Sequence, residues 1–349
     1  MRAARSVLAL GIGALLGCSA PDPLELPPLQ YFTERTAIAV LDDHPPCAGD
    51  LAALDAHVEE LEQLTGLRRS EPIDIYLGTP EACDEGDRAC YRPDLDVIFS
   101  PWQSIRHELA HAVERQEIDF ASDFWSEGFA VVGAGASSTE SLFETLSVDD
   151  LSGERELINY AATGHFARYL VETRGWQAYR AILEDGIEDA LGQSPQSLVD
   201  EYEREAPAAY PPRHPCPYPV LQPDDTGWTE TFSFSCETPD ATQYENLAAS
   251  GTRGAAMVRS VVLEAGTYTF ELQGGSELVL LGCLTEELVA LPEPPSNGDV
   301  WNEVDQGQGQ PFEAGISHTL TVTRGTYRIA ISSNTEDEAT MELRIRRID

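Results

Sequence analysis

The sequence predicts an α+β domain followed by an all-β sandwich. Three observations carry that expectation: helix-spaced apolar residues over 100–115 preceded by a strand, helix, strand, strand pattern; a proline-crowded stretch at 206–223; and a switch to period two beyond it. At 349 residues the chain is long enough for two domains, each with its own core. The expected boundaries are a signal segment at 1–17, a tether at 18–33, the α+β domain at 34–205, a Pro-rich linker at 206–227 and the sandwich at 228–349.

Taken in order, the first segment reads as an export signal. Arg2 and Arg5 form a positive n-region, Val7 to Leu16 an apolar run too short to span a bilayer, and Leu15-Leu16-Gly17-Cys18 resembles a bacterial lipobox. Cys18 is then the expected lipid-bearing first residue, which would attach the protein to a membrane. An ordinary secretory signal with an incidental cysteine is the other reading. Ser19 after it points to the outer membrane of a bacterial cell envelope. The Pro-rich residues that follow read as a tether.

Acidic residues outnumber basic ones 60 to 22, a formal charge of −38, and every basic residue is arginine. Such a surface repels phosphate backbones, so nucleic acid is not an expected partner. The absence of lysine excludes Schiff-base catalysis. The hydrophobic fraction of 42% is that of an ordinary globular protein.

Thr36 to Leu41 reads as a strand, and Leu51 to Leu64 as a helix ending before Gly66, a suitable C-cap. Pro72 to Leu77 and Asp96 to Phe99 read as further strands, the second leading straight into a helix over Ser100 to Arg115. Ser100 is placed to cap it, Pro101 suits its first position and Gln103 that of a capping-box partner. Trp102, Ile105, Leu109, Ala112 and Val113 recur at three- and four-residue steps and face the core.

His107-Glu108-Leu109-Ala110-His111 lies on this helix. Residues four apart project together, and each histidine is two positions from Ile105 or Leu109, so both imidazoles point away from the packed side. Neutral imidazole nitrogens one turn apart can share a tetrahedral zinc, and Glu108, about 100° round the helix from His107, can reach a water there. A third ligand is expected 16 residues after His111, at Glu127 in Trp125-Ser126-Glu127-Gly128-Phe129-Ala130, on a second short helix packed against the first. Two histidines, one glutamate and an open fourth position make a hydrolytic zinc site.

His107, Glu108, His111 and Glu127 together resemble the gluzincin metallopeptidases, the thermolysin-like and aminopeptidase-like group, over about residues 34–205. The resemblance implies His107, His111 and Glu127 as zinc ligands, Glu108 as general base and a peptide or protein as substrate, held in extended form along a sheet edge. Many members place a carboxylate four residues after the ligand glutamate; here Val131 stands there, which leaves the orientation of the first histidine, His107, without that partner. Related enzymes also use a Tyr or His to hydrogen-bond the tetrahedral intermediate, and Tyr160 and His165 are both candidates.

From Ser138 to Glu205 the pattern is helical, with Phe166, Tyr169 and Leu170 on one inward face. Beyond the proline-rich stretch, 258–263, 267–272, 277–281, 319–323, 326–332 and 340–345 read as strands. Glu264-Ala-Gly-Thr-Tyr-Thr-Phe and Thr323-Arg-Gly-Thr-Tyr-Arg-Ile are similar and suggest equivalent strands of a pseudo-repeated sheet. This half faintly resembles the β-sandwich domains appended to secreted bacterial peptidases. With Cys18 set aside, six cysteines suggest three disulfides in an exported chain. Cys83 and Cys90 flank a turn-like stretch and are expected to pair; a metal site is their alternative, and Cys47, Cys216, Cys236 and Cys283 stay unassigned.

The expected function is zinc-dependent hydrolysis of peptide bonds at the bacterial cell envelope. The alternative is a catalytically inactive surface binding or adhesion lipoprotein on a metallopeptidase fold.

Overall fold

The structure is a computed structural model that describes residues 26–41, 45–78, 83, 89–118, 122–135, 138–139, 146–151, 159–207, 209–210, 213–214, 218–238, 240–242, 255–274, 277–283, 310–322, 324–333 and 339–348. The export signal, Cys18 and Cys216 lie outside the described residues. Among those described, no helix is long and apolar enough to cross a membrane.

The chain is mixed α/β. In order it forms β1 (Tyr31–Phe32), β2 (Thr36–Val40), α1 (Ala48–Thr65), β3 (Ile73–Leu77), β4 (Cys90–Arg92), β5 (Val97–Ser100), a 3₁₀ turn (Trp102–Ser104), α2 (Ile105–Glu114), α3 (Asp123–Gly133), β6 (Ser138–Thr139) and α4 (Val148–Leu151). There follow α5 (Tyr160–Arg174), α6 (Trp176–Asp185), α7 (Ile187–Leu191), α8 (Pro195–Glu205), β7 (Ala209–Tyr210), β8 (Arg213–His214), β9 (Trp228–Phe234) and β10 (Ala241–Thr242). The last strands are β11 (Ala255–Leu263), β12 (Gly266–Gln273), β13 (Glu277–Cys283), β14 (Gln310–Glu313), β15 (Ser317–Val322), β16 (Gly325–Ser333) and β17 (Ala339–Arg347).

The first sheet has the order β1-β2-β3-β5-β4; β2, β3 and β5 are parallel, and β1 and β4 run antiparallel on its two edges. Period-two alternation sends Ile38, Ile73, Ile75, Leu77 and Ile98 to the helical side, and Ala39, Tyr76, Val97 and Phe99 to the other face. Leu26 and Leu29 cover that second face. In the second half of the expected tether, these two leucines and the β1 pairing lie against the sheet. Helix α1 buries Ala53, Leu54, Val58 and Leu61 at helical spacing and ends on Gly66, whose φ of 76° is the left-handed C-cap conformation.

The helix that carries His107 and His111 begins later than expected. Ser100 is the last residue of β5, paired with Leu77, and its hydroxyl donates to the Pro101 carbonyl instead of capping a helix. Pro101 remains extended, a 3₁₀ turn follows, and α2 starts at Ile105. Ile105, Leu109, Ala112 and Val113 are fully buried, as their spacing requires.

The sandwich packs a sheet of order β10-β11-β16-β13-β14, with β8 parallel to β13, on a sheet of order β15-β12-β17-β9. The two similar Gly-Thr-Tyr segments open β12 and β16 on opposite sheets, so Tyr268 and Tyr327 enter one core from its two sides. Within the expected proline-rich linker, β7 pairs with β6 and β8 with β13. Cys47, which caps α1, is bonded to Cys236, and the Thr242 hydroxyl hydrogen-bonds the buried carboxylate of Asp50. Gly49 lies so close to β10 that a Cβ there would meet the Ala241 carbonyl oxygen at 2.5 Å. Cys83 and Cys90 form the second disulfide among the described residues.

Candidate metal centre

Helices α2 and α3 pack face to face because their apolar residues, Leu109 and Val113 on one and Phe129 and Ala130 on the other, join one core. That contact brings Glu127 over the exposed ends of His107 and His111. His107 Nε2 lies 3.0 Å from Glu127 Oε2, His111 Nε2 lies 3.5 Å from the same oxygen, and the two Nε2 atoms are 3.1 Å apart. Bonds of about 2.0–2.1 Å to a tetrahedral zinc place ligand atoms about 3.3–3.4 Å from one another. The triangle of donors is of that size, and the three residues form the metal-competent cluster among those described.

The tautomer of His111 follows from its neighbours. The Ser126 hydroxyl donates to the buried carboxylate of Glu114 at 2.6 Å, so its oxygen is left to accept from His111 Nδ1, 3.2 Å away. Nε2 is then the nitrogen turned towards Glu127 and His107, where a proton or a metal can sit. The donor set thus fits zinc.

Electrostatics agree with a site built for a cation. Burial opposes charge on His111, but its contacts with Glu114 and Glu127 outweigh it and raise the pKa to about 10. Burial likewise works to raise Glu127, yet hydrogen bonds from His107 and His111 hold its carboxyl down at about 2. Glu108 is pushed up by burial and by Glu127, against the pull of His107, His111 and the Tyr91 backbone N–H.

These groups line a cleft of about 220 Å³ together with Tyr91, Arg115 and Asp123. Glu108 points into it beside the three candidate ligands. Tyr160, the first residue of α5, is 53% exposed at its mouth with its ring 6.3 Å from that of His107. His165 is elsewhere: it is fully buried, with Nδ1 2.7 Å from the Tyr202 hydroxyl and its ring against Tyr210. Five residues, about 1.4 helical turns, separate it from Tyr160, so α5 turns it to another face and carries it into the core.

Sequence reasoning missed Glu114 and Ser126. The carboxylate sought after Glu127 is absent because Val131 packs against Gly164 where α3 meets α5, a contact that leaves no room for a Cβ on that glycine. A different carboxylate, Glu114 of α2 itself, lies three residues after His111, a spacing that puts both on one helix face, and it serves the second histidine and not His107.

No family model matches the chain, and no curated protein matches it. Among solved structures, the chain is similar to the pre-peptidase C-terminal domain of a collagenase from Bacillus anthracis, at 11% identity over 39% of this chain and 99% of that one, with a TM-score of 0.21. A score that low leaves the likeness without weight for the fold or the site.

Proposed function

We propose that the protein is a gluzincin-like zinc peptidase of the bacterial cell envelope, with His107, His111 and Glu127 holding the metal. The convergence of those three donors, with Glu108 beside them in an open cleft, carries the reading. Bound there, zinc supplies Lewis acidity toward a carbonyl oxygen and toward water. Glu108, its basicity raised by burial, takes a proton from the attacking water as the new C–O bond forms, and returns it to the departing amine as the C–N bond breaks. The Tyr160 phenol, exposed at the cleft mouth, is placed to donate to the oxyanion of the tetrahedral intermediate. Export and lipid anchoring through Cys18 rest on the lipobox-like N-terminus, and the two disulfides support an oxidising compartment.

The test compares wild type and Glu108→Gln for zinc content and for cleavage of a mixed peptide library. Expected is one zinc per chain in both, with hydrolysis falling by about two to four powers of ten in the variant. Equal cleavage by both would remove Glu108 from the chemistry. A zinc-loaded wild type that cleaves nothing would favour the binding lipoprotein.

A further inference from the structure

Arg69 is a buried cation, its side chain 2% exposed, and its guanidinium joins two elements. Nη1 and Nη2 each donate to one oxygen of Asp96 at 2.9 Å, and Nη1 also donates to the Ala112 carbonyl of α2 at 3.1 Å. Asp96 also accepts from the Tyr91 hydroxyl at 2.7 Å, and Tyr91 lines the cleft together with Glu108. The groups therefore lie in a ring: hydrogen bonds run from α2 through Arg69 and Asp96 to Tyr91, which comes back to α2 beside Glu108 in the cleft.

Two features set this ring apart from a surface ion pair. Its cation is desolvated and held by a bidentate fork, the geometry in which an arginine pair is strong and directional. Asp96 also adopts a φ of 55°, alone among the described non-glycine residues with a positive φ. Aspartate is one of the few side chains that visit this region, and glycine adopts it freely, so the position can lose its carboxylate without a change of backbone conformation. The ring ends on β4, the edge strand beside the cleft, which among the described residues pairs with β5 along its inner flank.

We infer that Arg69, Asp96 and Tyr91 are positioning residues that fix the height of the β4 edge over Glu108, and so the register in which a peptide lies in the cleft. The inference rests on the peptidase reading above. Two variants of the full chain test it. Asp96→Gly keeps a turn that accepts the left-handed conformation while removing the carboxylate, and Tyr91→Phe removes one hydroxyl. Both should keep one zinc per chain, because the metal donors sit on α2 and α3. Both should raise KM on extended peptides on the order of tenfold with a smaller change in kcat, and speed amide exchange at 90–92 by a similar factor. A purely structural role would lower the melting temperature and leave KM of the zinc-loaded protein unchanged. Unchanged exchange at 90–92 in both variants overturns the brace. The exchange measurement needs no activity, so a wild type without peptidase activity would sink the peptidase reading while the brace is still decided.

Discussion

Glu114 accepts the Ser126 hydroxyl at 2.6 Å in a fully buried position, and through that serine it sets which nitrogen of His111 faces the cleft. In the proposed metal site such a partner would orient the ring and raise its basicity. Glu114→Ala should weaken zinc binding by about 10- to 100-fold, with Ser126→Ala smaller in the same direction. Competition with a chelator of known affinity measures it; unchanged affinity in Glu114→Ala would show that His111 is oriented by something else.

The three candidate ligands can be separated by metal content alone. His107→Ala and His111→Ala should each leave less than one zinc per chain after dialysis, because two donors do not hold the ion. Glu127→Ala tests the donor from α3. Full retention in the Glu127 variant with loss in both histidine variants would keep the helix α2 pair and move the third ligand.

The disulfide between Cys47 and Cys236 spans 189 residues and joins the cap of α1 to the sandwich. In the chain-entropy account a closed loop of that length contributes about 5 kcal/mol. Replacing both cysteines by serine should move the urea midpoint down by a loss of that order and decouple the unfolding of the two halves. A double variant with one unchanged transition would refute the proposed role of the bond.

His57 and Glu60 on α1 should give the acid stability curve a particular shape. Burial, with the Arg106 charge, lowers the His57 pKa from 6.5 to about 3, whereas burial raises Glu60 from 4.5 to about 7 against the pull of Arg106. The unfolded chain protonates His57 below 6.5 and the folded chain does not until about 3, so that stability is present above 6.5 and falls with pH. Glu60 acts in the opposite sense: the folded chain holds its proton below about 7, the unfolded one only below 4.5, so stability rises as pH falls through that window. The two slopes oppose one another between 4.5 and 6.5, and His57 alone acts below. Glu60→Gln should therefore start losing stability at about pH 6.5, earlier than wild type, by urea midpoints across the range. Identical onsets would show that Glu60 titrates normally in the folded state.

What the sequence by itself determined is local. The spacing of His107 and His111 fixes their common direction on any helix, the period-two segments declare strands, and Cys83 and Cys90 are too close in the chain to have many other partners. The resemblance to the gluzincins pointed to Glu127 because its neighbours repeat a short pattern. Other features depend on what lies opposite each residue once the chain is packed. Glu114 had a visible spacing from His111, but its use depends on Ser126 arriving from α3. His165 shares a helix with Tyr160, and only the packing of α5 against Tyr202 and Tyr210 decides that one enters the core and the other reaches the cleft. Arg69 and Asp96, 27 residues apart, reveal their pairing only when the sheet sets them beside α2. Cys47 finds Cys236 only because β10 docks on the start of α1. Helical and strand periods are carried by neighbours in the chain, whereas a hydrogen bond or disulfide between distant residues exists only where burial of the two apolar cores has brought them together.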